Sequence, residues 1–268
     1  MAESRRLMCV LAHPDDESLA AGGTLARYAS RGVETHVVLA TRGERGRCET
    51  DAKRPSAETL GRVREREARD AAAVLGVREV RFLDLRDGAV DQAEPSAAIA
   101  RIAEELRRVR PQVVLTLPPD GGYGHPDHIG VCQFTTAAVL YAADAARAAG
   151  AAQPCVVSKL YYVAWTEAMW NAYQALFGPL RFVVDSVVRQ PVPWPDWAVT
   201  TVIDVSDYRD TVWKAVRCHR TQTERASGLE RSGEAPSRNL WSCERFYRAI
   251  SLVNGGRTIE TDLFEGLT

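Results

Sequence analysis

Over its first 160 residues the chain alternates short apolar runs with amphipathic stretches. "LMCVLA" (7–12) is a continuous apolar run, the pattern of a strand buried on both faces, and "AAGGTLARYASRG" (20–32) follows at helical spacing with Gly32 as a stop. "VETHVVLAT" (33–41) is β-branched and reads as a strand. In "AETLGRVREREARDAAAVLG" (57–76), Leu60, Val63, Ala71, Val74 and Leu75 recur at helical spacing. "REVRFLDL" (78–85) is a third strand, and "PSAAIARIAEELRRVR" (95–110) an amphipathic helix with Pro in its first turn. "PQVVLTLPP" (111–119) reads as a fourth strand, and "PDHIGVCQFTTAAVLYAADAARAAG" (126–150) as a long helix. Four strands joined by helical crossovers predict a parallel sheet covered on both faces.

Beyond Gly150 the regularity weakens. "VVSKLYYVAW" (156–165) and "TVIDVS" (201–206) read as strands, and "YRDTVWKAVRCHRTQ" (208–222) as a helix. The prolines and tryptophans of "VVRQPVPWPDWAVT" exclude a central strand there. No linker and no repeat at fixed period interrupts the chain. The expectation is one α/β domain over 1–268: a Rossmann-like, mostly parallel core over 1–150 with an α+β elaboration over 151–268.

A length of 268 residues suits a single α/β domain with a core of its own, without staples. The 34 basic residues are balanced by 35 acidic ones, which argues against a nucleic-acid partner. Six cysteines with no C-x-x-C pair read as reduced packing residues. "MAESRRLMCV" has no apolar leader core, and "TTAAVLYAADAARAAGAA" is interrupted by Asp144 and Arg147. A cytoplasmic protein without membrane insertion is expected, with its oligomeric state open, a homo-oligomer included.

Chemistry enters where the first strand ends, in "HPDDES". Ligands of open parallel sheets bind outside the carboxyl ends of the strands, where a glycine-rich turn would cradle a pyrophosphate. Gly22 and Gly23 come too late for that, and carboxylates at that mouth would repel phosphate. His and Asp instead suit a divalent metal. Pro14 stiffens the turn. As neighbours, Asp15 and Asp16 point apart, so one can ligate while the other stands beside water. A helix cap by Asp16 or Ser18 is the alternative use. A second cluster, "LPPDGGYGHPDHIG", follows the fourth strand and repeats His-Pro-Asp. His125 and His128 are three apart at a helix start, hence near one face. If the loops meet, His13, Asp16 and one of these histidines converge, a two-His, one-carboxylate set with a position open for water. Gly121, Gly122 and Gly124 permit close backbone approach to a ligand.

"AHPDDE" with the later "GGYGHPDH" resembles the PIG-L or LmbE-like family of zinc-dependent deacetylases, which act on N-acetylglucosamine units. The likeness extends to "TRGERGR" (41–47), Arg64 to Gly76, "RDG" (86–88) and "KAVRCHRTQ" (214–222). It implies His13, Asp16 and His128 as ligands of Zn2+, with Fe2+, Mn2+ or Co2+ acceptable to the same donors. It implies Asp15 as general base, His125 facing the amide oxygen and leaving amine, where a protonated ring would stabilise the oxyanion and protonate the nitrogen, and Tyr123 polarising the carbonyl. Arg64, Asp87 and Glu44 match positions that hold the sugar or its attached group. His219 and Gln222 match a pattern to which no role attaches. The implied reaction releases acetate from an acylated amino sugar, a small-molecule substrate.

A larger acyl group on the same sugar, as in a thiol conjugate or an antibiotic-tailoring step, would use the same catalytic set with a different pocket wall. Trp165, Trp170, Trp194 and Trp197 are candidates for an apolar rim there, with core packing their commoner use. A non-catalytic carbohydrate binder would show a broken metal set, and this set is intact. A phosphoesterase lacks support without a phosphate loop.

Overall fold

The computed structural model describes residues 4–46, 48, 55–147, 153–179, 182–184, 186–223, 241–256 and 258–267. Arg47 of the "TRGERGR" stretch and the end of the long helix at 148–150 lie outside them. The elements run β1 (Arg6–Leu11), α1 (Asp16–Ser30), β2 (Glu34–Leu39), α2 (Ala57–Leu75), β3 (Glu79–Phe82), α3 (Pro95–Val109) and β4 (Val113–Thr116). Next come a single turn, α4 (Gly121–Gly124), then α5 (Pro126–Ala143), β5 (Lys159–Val163) and α6 (Glu167–Phe177). The chain ends through β6 (Phe182–Val184), β7 (Val187–Arg189), β8 (Thr201–Asp204), α7 (Arg209–Val216), α8 (Arg220–Thr223) and β9 (Cys243–Ser251).

Seven strands form one sheet in the order β3-β2-β1-β4-β5-β9-β8. The first five pair in parallel, as their apolar runs require. β9 was not expected; it inserts antiparallel between β5 and β8 and so welds the last hundred residues onto the core sheet. β6 and β7 form a separate two-stranded ribbon, which places Val187–Arg189 outside the main sheet, just before the proline-rich stretch that opens at Pro191. α1, α2 and α7 pack against one another, and α3 packs against α5. Each helix boundary has a chemical cause. Ser56 caps α2 by accepting from Thr59 N–H, and Gly76 ends it in the left-handed region at φ 73°. Glu94 and Pro95 start α3 in the same spirit.

α1 starts at Asp16, four residues before the expected helix, because a first turn precedes a break at Ala21 (φ −147°). That turn belongs to the "HPDDES" loop. From β1 the chain moves outward through β2 and β3, then returns to the other side of β1 as β4. The strand order therefore reverses between β1 and β4, and the loops leaving these two strands flank the switch point where such sheets bind ligands. Among the described residues, no helix is long and apolar enough to cross a membrane.

Candidate active site

Loops leaving β1 to β4 carry almost every residue singled out above. His13, Asp15 and Asp16 follow β1, Glu44 follows β2, Asp87 follows β3, and Tyr123, His125 and His128 follow β4, while Arg64 reaches in from α2. The imidazoles of His13 and His128 lie 5.3 Å apart between centroids, and His125 stands 4.9 Å from the first and 4.6 Å from the second. All three offer a ring nitrogen within 4.8 Å of the others.

Asp16 sits between two of these rings. Its Oδ1 is 3.6 Å from His128 Nε2 and its Oδ2 is 3.8 Å from His13 Nδ1. Both gaps are too long for hydrogen bonds. They approach the roughly 3.4 Å that separates two ligands of one tetrahedral ion with bonds near 2.1 Å. Backbone N–H groups of Ala12 and His13 donate to Asp16 Oδ2, which fixes the carboxylate and leaves Oδ1 facing His128. Asp16 ionises less readily than usual, first because it is buried, although the His13 charge opposes this.

His13 is held from behind. Its Nε2 lies 3.1 Å from Asp127 Oδ2 and 3.2 Å from Asp87 Oδ1. Burial disfavours charge on this ring, but these two carboxylates outweigh burial and raise its pKa to about 10. A proton on His13 thus answers four nearby carboxylates, those of Asp15, Asp16, Asp87 and Asp127. Excess negative charge around two nitrogens and a fixed carboxylate oxygen fits a borderline divalent cation. Ligand atoms that converge closely enough for one ion come from His13, His125 and His128 and from His13, Asp87 and Asp127, with Asp16 beside His13 and His128.

Asp15 adopts φ 117°, a backbone region that residues other than glycine rarely enter. Its side chain makes no cap bond to α1 and instead accepts from Arg64 Nη2 at 3.1 Å. Burial pushes its pKa up to about 6, against the pull of Arg64. Arg64 also donates to Pro14 O and Gly43 O. It is only 3 % exposed; its Nη2 serves the Asp15 turn and its Nη1 the loop after β2 at Gly43. Gly43, at φ 63°, is needed because a Cβ there would meet the guanidinium.

His125 caps α5: its Nδ1 accepts from Asp127 N–H, which puts any single ring proton on Nε2. Burial, then the charges of His128 and His13, press its pKa down to about 3. In this geometry Nε2–H is the donor that His125 turns outward. Tyr123 stacks on Phe182 of β6 at 3.8 Å and meets His125 and His128 edge-on. Burial raises its phenol pKa further, so the group remains a donor.

The remaining expectations meet a mixed outcome. Glu44 accepts from Asp87 N–H, and Asp87 Oδ2 accepts from Arg45 N–H, so both carboxylates are engaged with protein. The hydrogen bond and charge of His13, with Arg45 N–H, more than offset the burial of Asp87 and hold its pKa well below the carboxylate range. Gly122, at φ 76°, admits the Trp165 ring, which a Cβ would strike at 2.1 Å, rather than a ligand. Trp165 and Trp170 are buried in the core, and Trp194 donates to Asp120, leaving only Trp197 of the four well exposed. Two contributors escaped the sequence reading. Asp127 accepts from Gly88 N–H and Val90 N–H as well as facing His13; its signal was the repeated His-Pro-Asp. Glu17, fully buried beside Asp15, pairs with His219 from across the chain.

Comparison with known proteins bears on the family and the fold. The family model described as "PIG-L: GlcNAc-PI de-N-acetylase" matches residues 8–139. A protein of Kineococcus radiotolerans named 1D-myo-inositol 2-acetamido-2-deoxy-alpha-D-glucopyranoside deacetylase is 35% identical, over 99% of this chain and 84% of its own. A protein of the same name from Rhodococcus opacus is 40% identical over 84% of this chain and 85% of its own. Among solved structures, GalB, the 4-carboxy-2-hydroxymuconate hydratase of Pseudomonas putida, superposes with a TM-score of 0.69 at 21% identity, over 94% of this chain and 99% of its own. That likeness concerns the fold alone, and its different chemistry leaves the reaction to be argued from residues.

Proposed function

The chain belongs to the PIG-L family of N-deacetylases, and on that basis we propose that it hydrolyses the acetamide of an N-acetylglucosamine carried on an inositol, releasing acetate and a free amino sugar. The observation that carries this reading is the meeting of His13, Asp16 and His128 beside a base held by Arg64, at the sheet's switch point. The curated relatives name the inositol-linked substrate, and their coverage of nearly the whole chain supports treating 1–268 as one domain.

When bound between His13, Asp16 and His128, zinc or a similar divalent ion supplies Lewis acidity toward water and toward the amide carbonyl. Asp15 takes the proton of the attacking water; general-base help of this kind is worth about 10²–10⁴-fold. Arg64 holds that carboxylate in place during the transfer. As charge develops on the carbonyl oxygen, His125 donates from Nε2–H and Tyr123 from its hydroxyl. Asp15, having taken the proton of the water, can pass it to the departing nitrogen, which His125 faces. Asp127 and Asp87 keep the His13 ring oriented, as carboxylates behind a ligating imidazole do. Glu44 in turn holds the Asp87 loop.

Acetate release from N-acetylglucosaminyl-inositol, from free N-acetylglucosamine and from an analogue with a longer acyl group tests the reading. The inositol conjugate should give the highest kcat/KM, with activity lost to a chelator and restored by zinc. Preference for the longer acyl group would move the assignment to a broader amidase. No acetate from any N-acetylated amino sugar with metal-loaded protein would contradict it.

A further inference from the structure

Asp15 is a strained residue at the centre of the site, and a strained turn persists only where its surroundings over-determine it. Arg64 grips one side of it, through Pro14 O and Asp15 Oδ2. The other side is gripped by Glu17, whose Oε2 accepts the Asp15 backbone N–H at 3.0 Å. Glu17 is 0 % exposed, and its Oε1 accepts from Ser18 Oγ at 2.7 Å and meets His219 Nε2 at 2.6 Å.

His219 is also fully buried, although it lies in the turn between α7 and α8, 202 residues from Glu17 in sequence. Its segment is anchored independently: Thr221 donates to Glu67 of α2 through both its N–H and its hydroxyl. A rigid anchor thus reaches His219, then Glu17, then the amide of the residue that carries the base.

We infer that Glu17 and His219 are positioning residues for the deacetylation, a buried pair that holds the Asp15 turn in its left-handed conformation so that the carboxylate faces the reacting water. Neither touches substrate. The motif "KAVRCHRTQ" acquires a task on this account, since it delivers His219 from the elaboration to the core. The inference rests on Asp15 being the base, which wild-type acetate release and an Asp15→Asn control test separately.

The experiment measures kcat, KM, bound zinc and thermal midpoint for Glu17→Gln, Glu17→Met and Thr221→Val. Glu17→Gln keeps an oxygen for the Asp15 N–H and an N–H for His219, and should retain turnover within about threefold. Glu17→Met keeps volume and loses the acceptor, and should drop kcat at least 30-fold on the order-of-magnitude scale of lost base alignment, with KM within about threefold and zinc still bound. Thr221→Val loosens the anchor one step back from the pair and leaves the Glu17 contacts to Asp15 and His219 in place, so it should lower the midpoint as much as Glu17→Met does while costing kcat far less, within about fivefold. Should Glu17→Met not fold, His219→Gln and His219→Leu carry the test, the first expected to turn over well above the second at equal zinc. Loss of kcat in proportion to loss of stability across all variants, Thr221→Val included, would reduce the pair to a folding staple and overturn the inference. So would wild-type kcat in Glu17→Met or in His219→Leu.

Discussion

Two buried charged clusters sit in this fold and differ in one respect. Around Glu260, every oxygen is met at bonding distance: Lys159 Nζ at 2.7 Å, Tyr161 Oη at 2.7 Å, Thr201 Oγ1 at 3.0 Å and Arg248 Nη1 at 2.9 Å. Burial alone would raise the Glu260 pKa, but these donors outweigh it and hold it at about 2. Around Asp16, by contrast, the imidazoles stand off at 3.6 and 3.8 Å, and carboxylates outnumber cations. The first cluster is closed by its own donors, whereas the Asp16 Oδ1 and the His128 ring of the second face each other without a bond. Buried polar groups are ordinarily paired, so a buried cluster left open points to a ligand.

The sharpest way to break the contrast is to empty the open cluster. His128→Ala should abolish acetate release, and retained turnover would show that no ion is needed there. Asp15→Asn should keep zinc yet lose about 10²–10⁴-fold in kcat, read from single-turnover acetate release. Asp127→Asn leaves the ligand atoms and removes the charge behind His13; zinc affinity should fall about 10–100-fold in a competitive chelator titration.

Changes to the closed cluster should move stability instead. Glu260→Gln leaves Lys159 and Arg248 without their counter-charge and should cost about 3–5 kcal/mol in denaturant unfolding, with kcat at neutral pH within about twofold. Its pH dependence has a definite sign. A carboxyl whose folded pKa is depressed contributes stability above its unfolded value, about 4.3, and that contribution fades as pH falls toward about 2. Wild type should therefore lose stability between about pH 5 and 2 more steeply than Glu260→Gln.

The open cluster was far more legible in sequence than the closed one. Short apolar runs such as "LMCVLA" announced β1, β2 and β4, because strands buried on both faces carry no polar alternation, whereas the edge strand β3, "EVRF", alternates instead. Two His-Pro-Asp triplets after parallel strands announced the meeting of loops. The use of each triplet was not legible: the first Asp is the strained, Arg-bound Asp15, while the second, Asp127, is buried under His13. β9 was missed because "CERFYRAIS" mixes charge and aromatics without clean alternation, and its partners β5 and β8 are chosen by long-range packing. Glu260 and Lys159, 101 residues apart, left no local pattern at all.

Calorimetric titration of zinc into chelator-stripped protein bears on the open cluster without passing through activity. One ion should bind per chain, with binding retained in Asp15→Asn and lost in His128→Ala. Equal binding by wild type and His128→Ala would mean that the two loops do not share an ion.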